Sequence, residues 1–252
     1  MIYRYEYTPE LITFIESLGI ILRPSCIESV KHSRKLEVFD NTLWEKHSIW
    51  TRDFRPVSLL MHSYCRSPLA GKITVGRYSS IGRSVKVMGF QHPYDRITTS
   101  PITYERRDSE AWKHLGYHNE SVTPSRKQAT VHIGHDCWIG EGVLIKPGLT
   151  IGIGSIIGAN SVVTKNVEPF EIVAGNPARV VKRRFSEQII ATLTTARWWE
   201  FDLAKIPNID FSQSPDKIVD ELMESEMKYE RIKFNEIPLH EVINNQGFKS
   251  IS

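Results

Sequence analysis

From Ile133 to Glu168 the apolar residues return every six positions. Read in sixes, the stretch is Ile133-Gly-His-Asp-Cys-Trp, Ile139-Gly-Glu-Gly-Val-Leu, Ile145-Lys-Pro-Gly-Leu-Thr, Ile151-Gly-Ile-Gly-Ser-Ile, Ile157-Gly-Ala-Asn-Ser-Val and Val163-Thr-Lys-Asn-Val-Glu. The first position is always Ile or Val, and the fifth is Cys, Val, Leu or Ser. Such a period suits neither a helix, which repeats about every 3.6 residues, nor a lone strand, which alternates every two. It predicts a parallel β-helix of hexapeptides, each hexad one side of a triangular coil, with first-position side chains stacked inside the prism. The same spacing runs through Leu69-Ala-Gly-Lys-Ile-Thr, Val75-Gly-Arg-Tyr-Ser-Ser, Ile81-Gly-Arg-Ser-Val-Lys and Val87-Met-Gly-Phe-Gln-His. Lys127-Gln-Ala-Thr-Val-His joins the later block in phase.

Between the two blocks, over residues 93–126, the pattern vanishes. That stretch carries Pro93, Pro101 and Pro124 together with Tyr94, Tyr104, Trp112 and Tyr117. A loop of this length inside a compact array is usually functional, and its aromatics argue against disorder. The pattern thus divides the chain into an N-terminal extension of mixed structure over 1–66, a mainly β domain over 67–182 with its inserted loop, and a helical segment over 183–252. In the first part Leu11, Ile12, Ile15 and Leu18 share a helix face, with Gly19 placed to end it. The part has no other glycine, so no dinucleotide-binding turn is available. In the last part Phe185, Ile189, Ile190 and Leu193 fall at helical spacing behind Ser186, a candidate N-cap. Ile218, Leu222 and Met223 suggest a second helix. From about Asn235 the chain reads as polar and uncommitted.

Composition narrows the class. The chain has 252 residues, 40% hydrophobic and 24% charged, as in an ordinary globular protein. The net charge of +3 is too weak to imply nucleic acid. No apolar run is long enough to span a membrane, and Met1-Ile-Tyr-Arg-Tyr-Glu6 does not read as a secretory signal. Cys26, Cys65 and Cys137 are too few and scattered for a disulfide or zinc framework. These features together predict a cytoplasmic protein.

Three segments carry a resemblance. His92-Pro-Tyr-Asp95-Arg-Ile-Thr98-Thr99-Ser-Pro101 resembles an Asn-His-x-x-Asp-x-x-Ser-Thr-x-Pro-Phe loop. Ile133-Gly-His-Asp-Cys-Trp138-Ile-Gly is similar to Ile-Gly-Asn-Asp-Val-Trp-Ile-Gly. Pro169-Phe-Glu-Ile-Val-Ala-Gly175-Asn-Pro177-Ala178-Arg, with Arg184-Phe185 and Trp198-Trp199 behind it, completes the set. Over residues 67 to about 202 the chain resembles the hexapeptide-repeat acyltransferase superfamily, in its xenobiotic-type O-acetyltransferase branch. That branch includes chloramphenicol and streptogramin acetyltransferases and capsule or lipopolysaccharide sugar O-acetyltransferases. The departures are Gln91 for Asn, Thr98 for Ser, Ile102 for Phe and His135 for Asn. The resemblance implies a left-handed β-helix and acetyl-coenzyme A as co-substrate, without a metal. It also implies a homotrimer whose active sites lie between subunits.

The chemistry asks for a base. An alcohol attacking a thioester must lose its proton, and histidine, with an ordinary pKa of about 6.5, is the economical acceptor. Of nine histidines, His92 stands where coil gives way to loop, and in the resembling family that histidine is the general base. Asp95, three residues on, either orients the imidazole, binds the acceptor or simply forms a turn. His132 and His135 read as outward coil residues. With His92 they could instead supply the three histidines of a zinc hydratase on the same fold, but the Ala174-Gly175-Asn176-Pro177-Ala178 segment would then be unexplained.

For the cofactor, Gly158, Ala159 and Gly175 are small enough to let a pantetheine arm approach the backbone. Trp138 corresponds to a family residue near the thiol end, or else packs between subunits. Lys165, Arg179, Lys182, Arg183 and Arg184 offer cations for the phosphates, with Lys165 and Arg179 foremost. The alternative for each is a solvated surface charge. For the acceptor, Tyr94, Tyr104 and Trp112 are placed to stack on a sugar ring, with Thr98 and Thr99 beside them. The leading expectation is O-acetylation of a sugar or surface polysaccharide precursor. The alternatives are acetylation of an antibiotic hydroxyl, zinc hydration, or a noncatalytic scaffold.

Overall fold

The computed structural model describes the chain except for residues 51–56, 70–72, 90, 105–128, 226–230, 234 and 252. A short strand straddles each junction between these six hexads: Trp138–Ile139, Leu144–Ile145, Thr150–Ile151, Ile156–Ile157 and Val162–Val163. Successive strands join successive sheets, and every third one returns to its sheet in parallel register. Ile133 thus pairs with Ile151, Ile139 with Ile157 and Ile145 with Val163. Like residues stack one coil apart, and the first-position side chains from Ile133 to Val163 are all 3% exposed or less. This is the mainly β, parallel coil that the six-residue period predicts.

The fifth positions are buried as well, which is why small or apolar residues are needed there. Serine is tolerated because the turn supplies partners. Ser155 Oγ donates to the Gly152 carbonyl at 2.7 Å, and Ser161 Oγ to that of Gly158 at 2.7 Å. The second-position glycines answer to the neighbouring coil. A Cβ on Gly140 would lie 2.6 Å from the backbone nitrogen of Ala159.

The coils reach further toward the N-terminus than the hexads do. Leu43–Trp44 and Ser58–Leu59 extend the six-stranded sheet, while Ile21–Leu22, Ile49–Trp50 and Tyr64–Cys65 extend the eight-stranded one. The extension placed over 1–66 is therefore continuous with the prism. Its period is hidden because the Trp44–Leu59–Val75 stack advances by fifteen and then sixteen residues per coil, against eighteen from Ile133 to Ile151. Its inward residues are also unlike those of the hexads. Trp44 and Trp50 meet edge to face at 5.7 Å inside the prism, and Cys65 lies over Ile81.

A small antiparallel sheet closes this end. Ile2–Glu6 lies between Lys35–Phe39 and Ser250–Ile251. The expected first helix is Pro9–Ser17, capped by Thr8 Oγ1 accepting from the Leu11 amide, with Leu11, Ile12 and Ile15 buried. The helix behind Ser186 is Glu187–Ala196, and another runs Pro215–Ser225. The segment after Asn235 is committed after all. Ile237–Pro238 pairs with Leu43–Trp44, and helix Leu239–Asn245 buries Leu239 and Ile243. Two apolar anchors and an available sheet edge suffice to fix a run that looks polar. Among the described residues, no helix is long and apolar enough to cross a membrane.

Candidate active site

Lys86–Val87 is the outermost strand of a three-stranded sheet, beside Leu144–Ile145 and Val162–Val163. The Met88 amide still bonds to the Ile145 carbonyl, and then the chain leaves the coil. His92 lies just beyond that exit, on a loop stiffened by local bonds. The Ser100 amide donates to Thr98 Oγ1 at 3.1 Å, and Pro101–Thr103 forms a 3₁₀ turn whose end bonds the Tyr104 amide to the Pro101 carbonyl. His92 Nδ1 is 2.8 Å from the Thr99 carbonyl oxygen and 2.6 Å from Tyr104 Oη. The imidazole is exposed and borders an open cavity of about 380 Å³ with Gln91, Tyr94, Thr99, Ser100 and Pro101. Such a group is anchored on one nitrogen and accessible to a ligand, which is what proton transfer requires.

The expected site residues separate. Tyr94 is 84% exposed on the cavity wall. Thr98 and Thr99 hold the loop through Oγ1 and a carbonyl. Asp95 is exposed, and it is Thr99 and Tyr104 that take the Nδ1 of His92. Tyr104 is not a stacking platform: its ring is 3% exposed, so no sugar can lie on it. Trp112 and the rest of the loop after Tyr104 lie outside the described residues.

The cofactor candidates occupy the coil surface. Trp138 points outward between Ser80 and Ile156, 58% exposed. Ala159, Lys165, Arg179 and Lys182 are exposed. Lys165 follows Val163, two coils from Val87 in the same sheet. Gly175, with φ 101°, ends the first strand of the hairpin Glu171–Gly175 and Ala178–Arg183. Gly158 has a local reason to be glycine, since a Cβ there would meet Ala174 Cβ at 2.9 Å. Two of the cations are already engaged. Arg183 faces Glu187 at 3.5 Å, and Arg184 bonds Asp136 at 2.7 Å and the Gly154 carbonyl at 2.8 Å. Arg184 thus belongs to a different corner of the prism.

That corner was not anticipated. Turn residues His47, His62, Tyr78 and Asp136 share a left-handed backbone and stack from coil to coil. The C-terminal segment lies over them. His62 Nε2 is 2.8 Å from Asp202 Oδ1, Tyr78 Oη donates to the Phe201 carbonyl at 2.6 Å, and Trp199 stacks on His135 at 5.2 Å. Beneath lies a fully buried bidentate pair, Arg77 with Glu45, at 2.6 and 2.7 Å. His135 Nδ1 accepts from the Arg77 amide, so it is a packed residue rather than an outward one. Burial, with the Arg77 charge adding, pushes its pKa down to about 4. His132 is exposed and bonds Thr74 Oγ1. These two histidines do not converge with His92, and among the described residues no three potential ligands gather. The sequence signals for this corner were Arg184-Phe185 and the pair Trp198-Trp199.

Residues 130–165 match the family model described as bacterial transferase hexapeptide (six repeats). A protein of Lysinibacillus sphaericus named probable macrolide acetyltransferase is 38% identical over 139 residues, 53% of this chain and 72% of that one. A chloramphenicol acetyltransferase of Klebsiella aerogenes is 36% identical over 138 residues, 54% of this chain and 62% of that one. The crystal structure of a hexapeptide-repeat acetyltransferase of Vibrio cholerae, complexed with acetyl-coenzyme A, aligns over 71% of this chain and 80% of its own, with 23% identity and a TM-score of 0.38.

Proposed function

Because the chain belongs to the bacterial hexapeptide-repeat acyltransferases, the family of the chloramphenicol and macrolide acetyltransferases, we propose that it transfers an acetyl group from acetyl-coenzyme A to an alcohol. The observation that carries this is His92, held by Nδ1 at the mouth of an open cavity where the coil releases its loop. In this reading Nε2 takes the proton of the acceptor hydroxyl as its oxygen attacks the thioester carbonyl. The tetrahedral intermediate collapses with expulsion of the coenzyme A thiolate, and the imidazolium returns the proton to that sulfur. No covalent enzyme intermediate is needed.

The prism is left-handed in this proposal, and three copies associate so that the cofactor lies in the groove between two of them. Trp138 borders the thiol end, and Ala159 and Gly175 leave room for the arm. Lys165, Arg179 and Lys182 face the phosphates. Asp95 contacts the acceptor, since the imidazole is oriented by other groups. The acceptor is a sugar hydroxyl of a surface polysaccharide precursor, with exposed Tyr94 as the stacking surface. An antibiotic hydroxyl is the second reading, favoured by the names of the two relatives.

The test is release of coenzyme A thiol with a panel of sugar and antibiotic alcohols, followed by mass measurement of the product. Transfer to at least one alcohol is expected, falling roughly 100-fold or more in His92→Ala while the melting temperature is unchanged. Parent-like turnover by the folded variant removes His92 from the chemistry.

A further inference from the structure

We propose that Tyr104 is a positioning residue for the base: with the Thr99 carbonyl it holds His92 in the tautomer protonated on Nδ1, so that Nε2 presents its lone pair to the acceptor. The inference rests on His92 being the base.

A carbonyl oxygen only accepts hydrogen bonds. It lies 2.8 Å from Nδ1, a distance at which two lone pairs would repel, so Nδ1 carries the hydrogen. The neutral ring then has its lone pair on Nε2. Tyr104 Oη lies 2.6 Å from the same Nδ1 and shares that hydrogen as a second acceptor. Its own hydroxyl hydrogen points toward the Thr99 oxygen, 3.5 Å away. The opposite arrangement, with the phenol donating to Nδ1, would leave the 2.8 Å carbonyl contact without a hydrogen, two lone pairs facing each other, and Nε2 protonated and useless as a base.

The phenol ring stands edge-on to the imidazole at 82°, with the centroids 6.1 Å apart, and is itself buried. It therefore braces the ring plane as well as its tautomer. The arrangement matters most after proton transfer. The imidazolium offers a stronger Nδ1–H donor, and two oxygens receive it in place of one. The charged side chains of this loop among the described residues are Arg96, whose guanidinium lies 5.7 Å from the centre of the Tyr104 ring, and exposed Asp95. Neither replaces the phenol oxygen on Nδ1.

Tyr104→Phe keeps the buried ring and removes one oxygen. We expect kcat to fall roughly tenfold, the scale of one hydrogen bond to a charged group. The acid limb of the kcat/KM profile should move to lower pH, because the protonated ring has lost a partner. KM for acetyl-coenzyme A should stay at the parent value. Nitrogen-15 spectra of histidine-labelled protein, with the His92 signal identified by its loss in His92→Ala, give a readout independent of activity. Above the titration the parent should show Nδ1 protonated. A parent ring protonated on Nε2 overturns the proposal, as does a folded Tyr104→Phe with parent kcat and parent pH profile. If His92→Ala turns over like the parent, it is the base assignment that fails, and the nitrogen-15 result still reports the tautomer.

Discussion

Two edges of one prism have been put to opposite uses. At the edge bearing His47, His62, Tyr78 and Asp136 the C-terminal segment returns and covers the turns. Asp202, the Phe201 carbonyl and Arg184 each meet a turn side chain, and the Arg77–Glu45 pair lies sealed beneath. At the edge where the chain leaves after Val87, the imidazole of His92 is tethered on one side and open on the other. The coils that carry the two edges belong to one stack of parallel strands. What differs is the chain laid over them: where it covers the turns, polar groups find fixed partners and become structure. At His92 no described residue takes Nε2, and that open nitrogen is what the proposed base requires.

The largest effect should come from breaking the covered edge. Arg77 is 0% exposed and Glu45 2%, and the carboxylate also accepts from the Met61 amide at 3.0 Å. Burial alone would raise the Glu45 pKa, but the Arg77 and amide hydrogen bonds overcome it and hold the group charged. Arg77→Met strands that charge and should cost about 3–5 kcal/mol in denaturant unfolding. Adding Glu45→Gln should recover much of the loss, because the amide oxygen still serves Met61 and no charge is left unpaired. If the single variant unfolds like the parent, the pair does not organise this edge.

A smaller effect distinguishes the edges by pH. The His135 pKa, pushed down to about 4 by burial and by Arg77, lies below its unfolded value of about 6.5. Above pH 6.5 the ring is neutral in both states and contributes nothing. As the pH falls toward 4 the unfolded chain takes a proton that the folded one refuses, so stability declines, by up to roughly 3 kcal/mol. His47, also lowered by burial, acts in the same direction. Asp202 and Glu45, held below the usual carboxylate range, make themselves felt only at lower pH. His135→Asn keeps an acceptor for the Arg77 amide and should flatten most of the decline between pH 7 and 5. An unchanged slope in unfolding titrations would place the sensitivity elsewhere.

The contrast between the edges also marks what a sequence can convey. The central coils were legible because one class of side chain recurs at one position, and the structure buries each such residue. Trp44, Trp50 and Cys65 do the same job in coils of other lengths, so no period survives to be read. The place of His92 was legible because it stands at the break in the repeat. The burial of Tyr104 was not, since a buried and an exposed loop aromatic are spelled alike. The covered edge was least legible of all. Its contacts join residues as far apart as His62 and Asp202, separated by 140 positions. Nothing local announces such a pairing.

The smallest effect probes how far the open side extends along the prism. Lys165 follows the third strand of the sheet whose first strand releases the His92 loop, so the two lie about 10 Å apart along the axis. Arg179 sits beyond it on the closing hairpin, paired with Ala174, its guanidinium bonded only to the adjacent Ala178 carbonyl among the described contacts. Both are exposed, so removing them should leave the unfolding midpoint where it is. If the cofactor runs along this side from thioester to phosphates, the two cations bind it equally in the ground and transition states. Lys165→Ala with Arg179→Ala should then raise KM for acetyl-coenzyme A by about tenfold, with kcat and the acceptor KM little changed. Acetyl-pantetheine, which lacks the nucleotide phosphates, separates binding of phosphate from any general disturbance. It should be turned over equally by the parent and the double variant. Equal losses with both donors would return these charges to the solvated surface and confine the open side to the neighbourhood of His92.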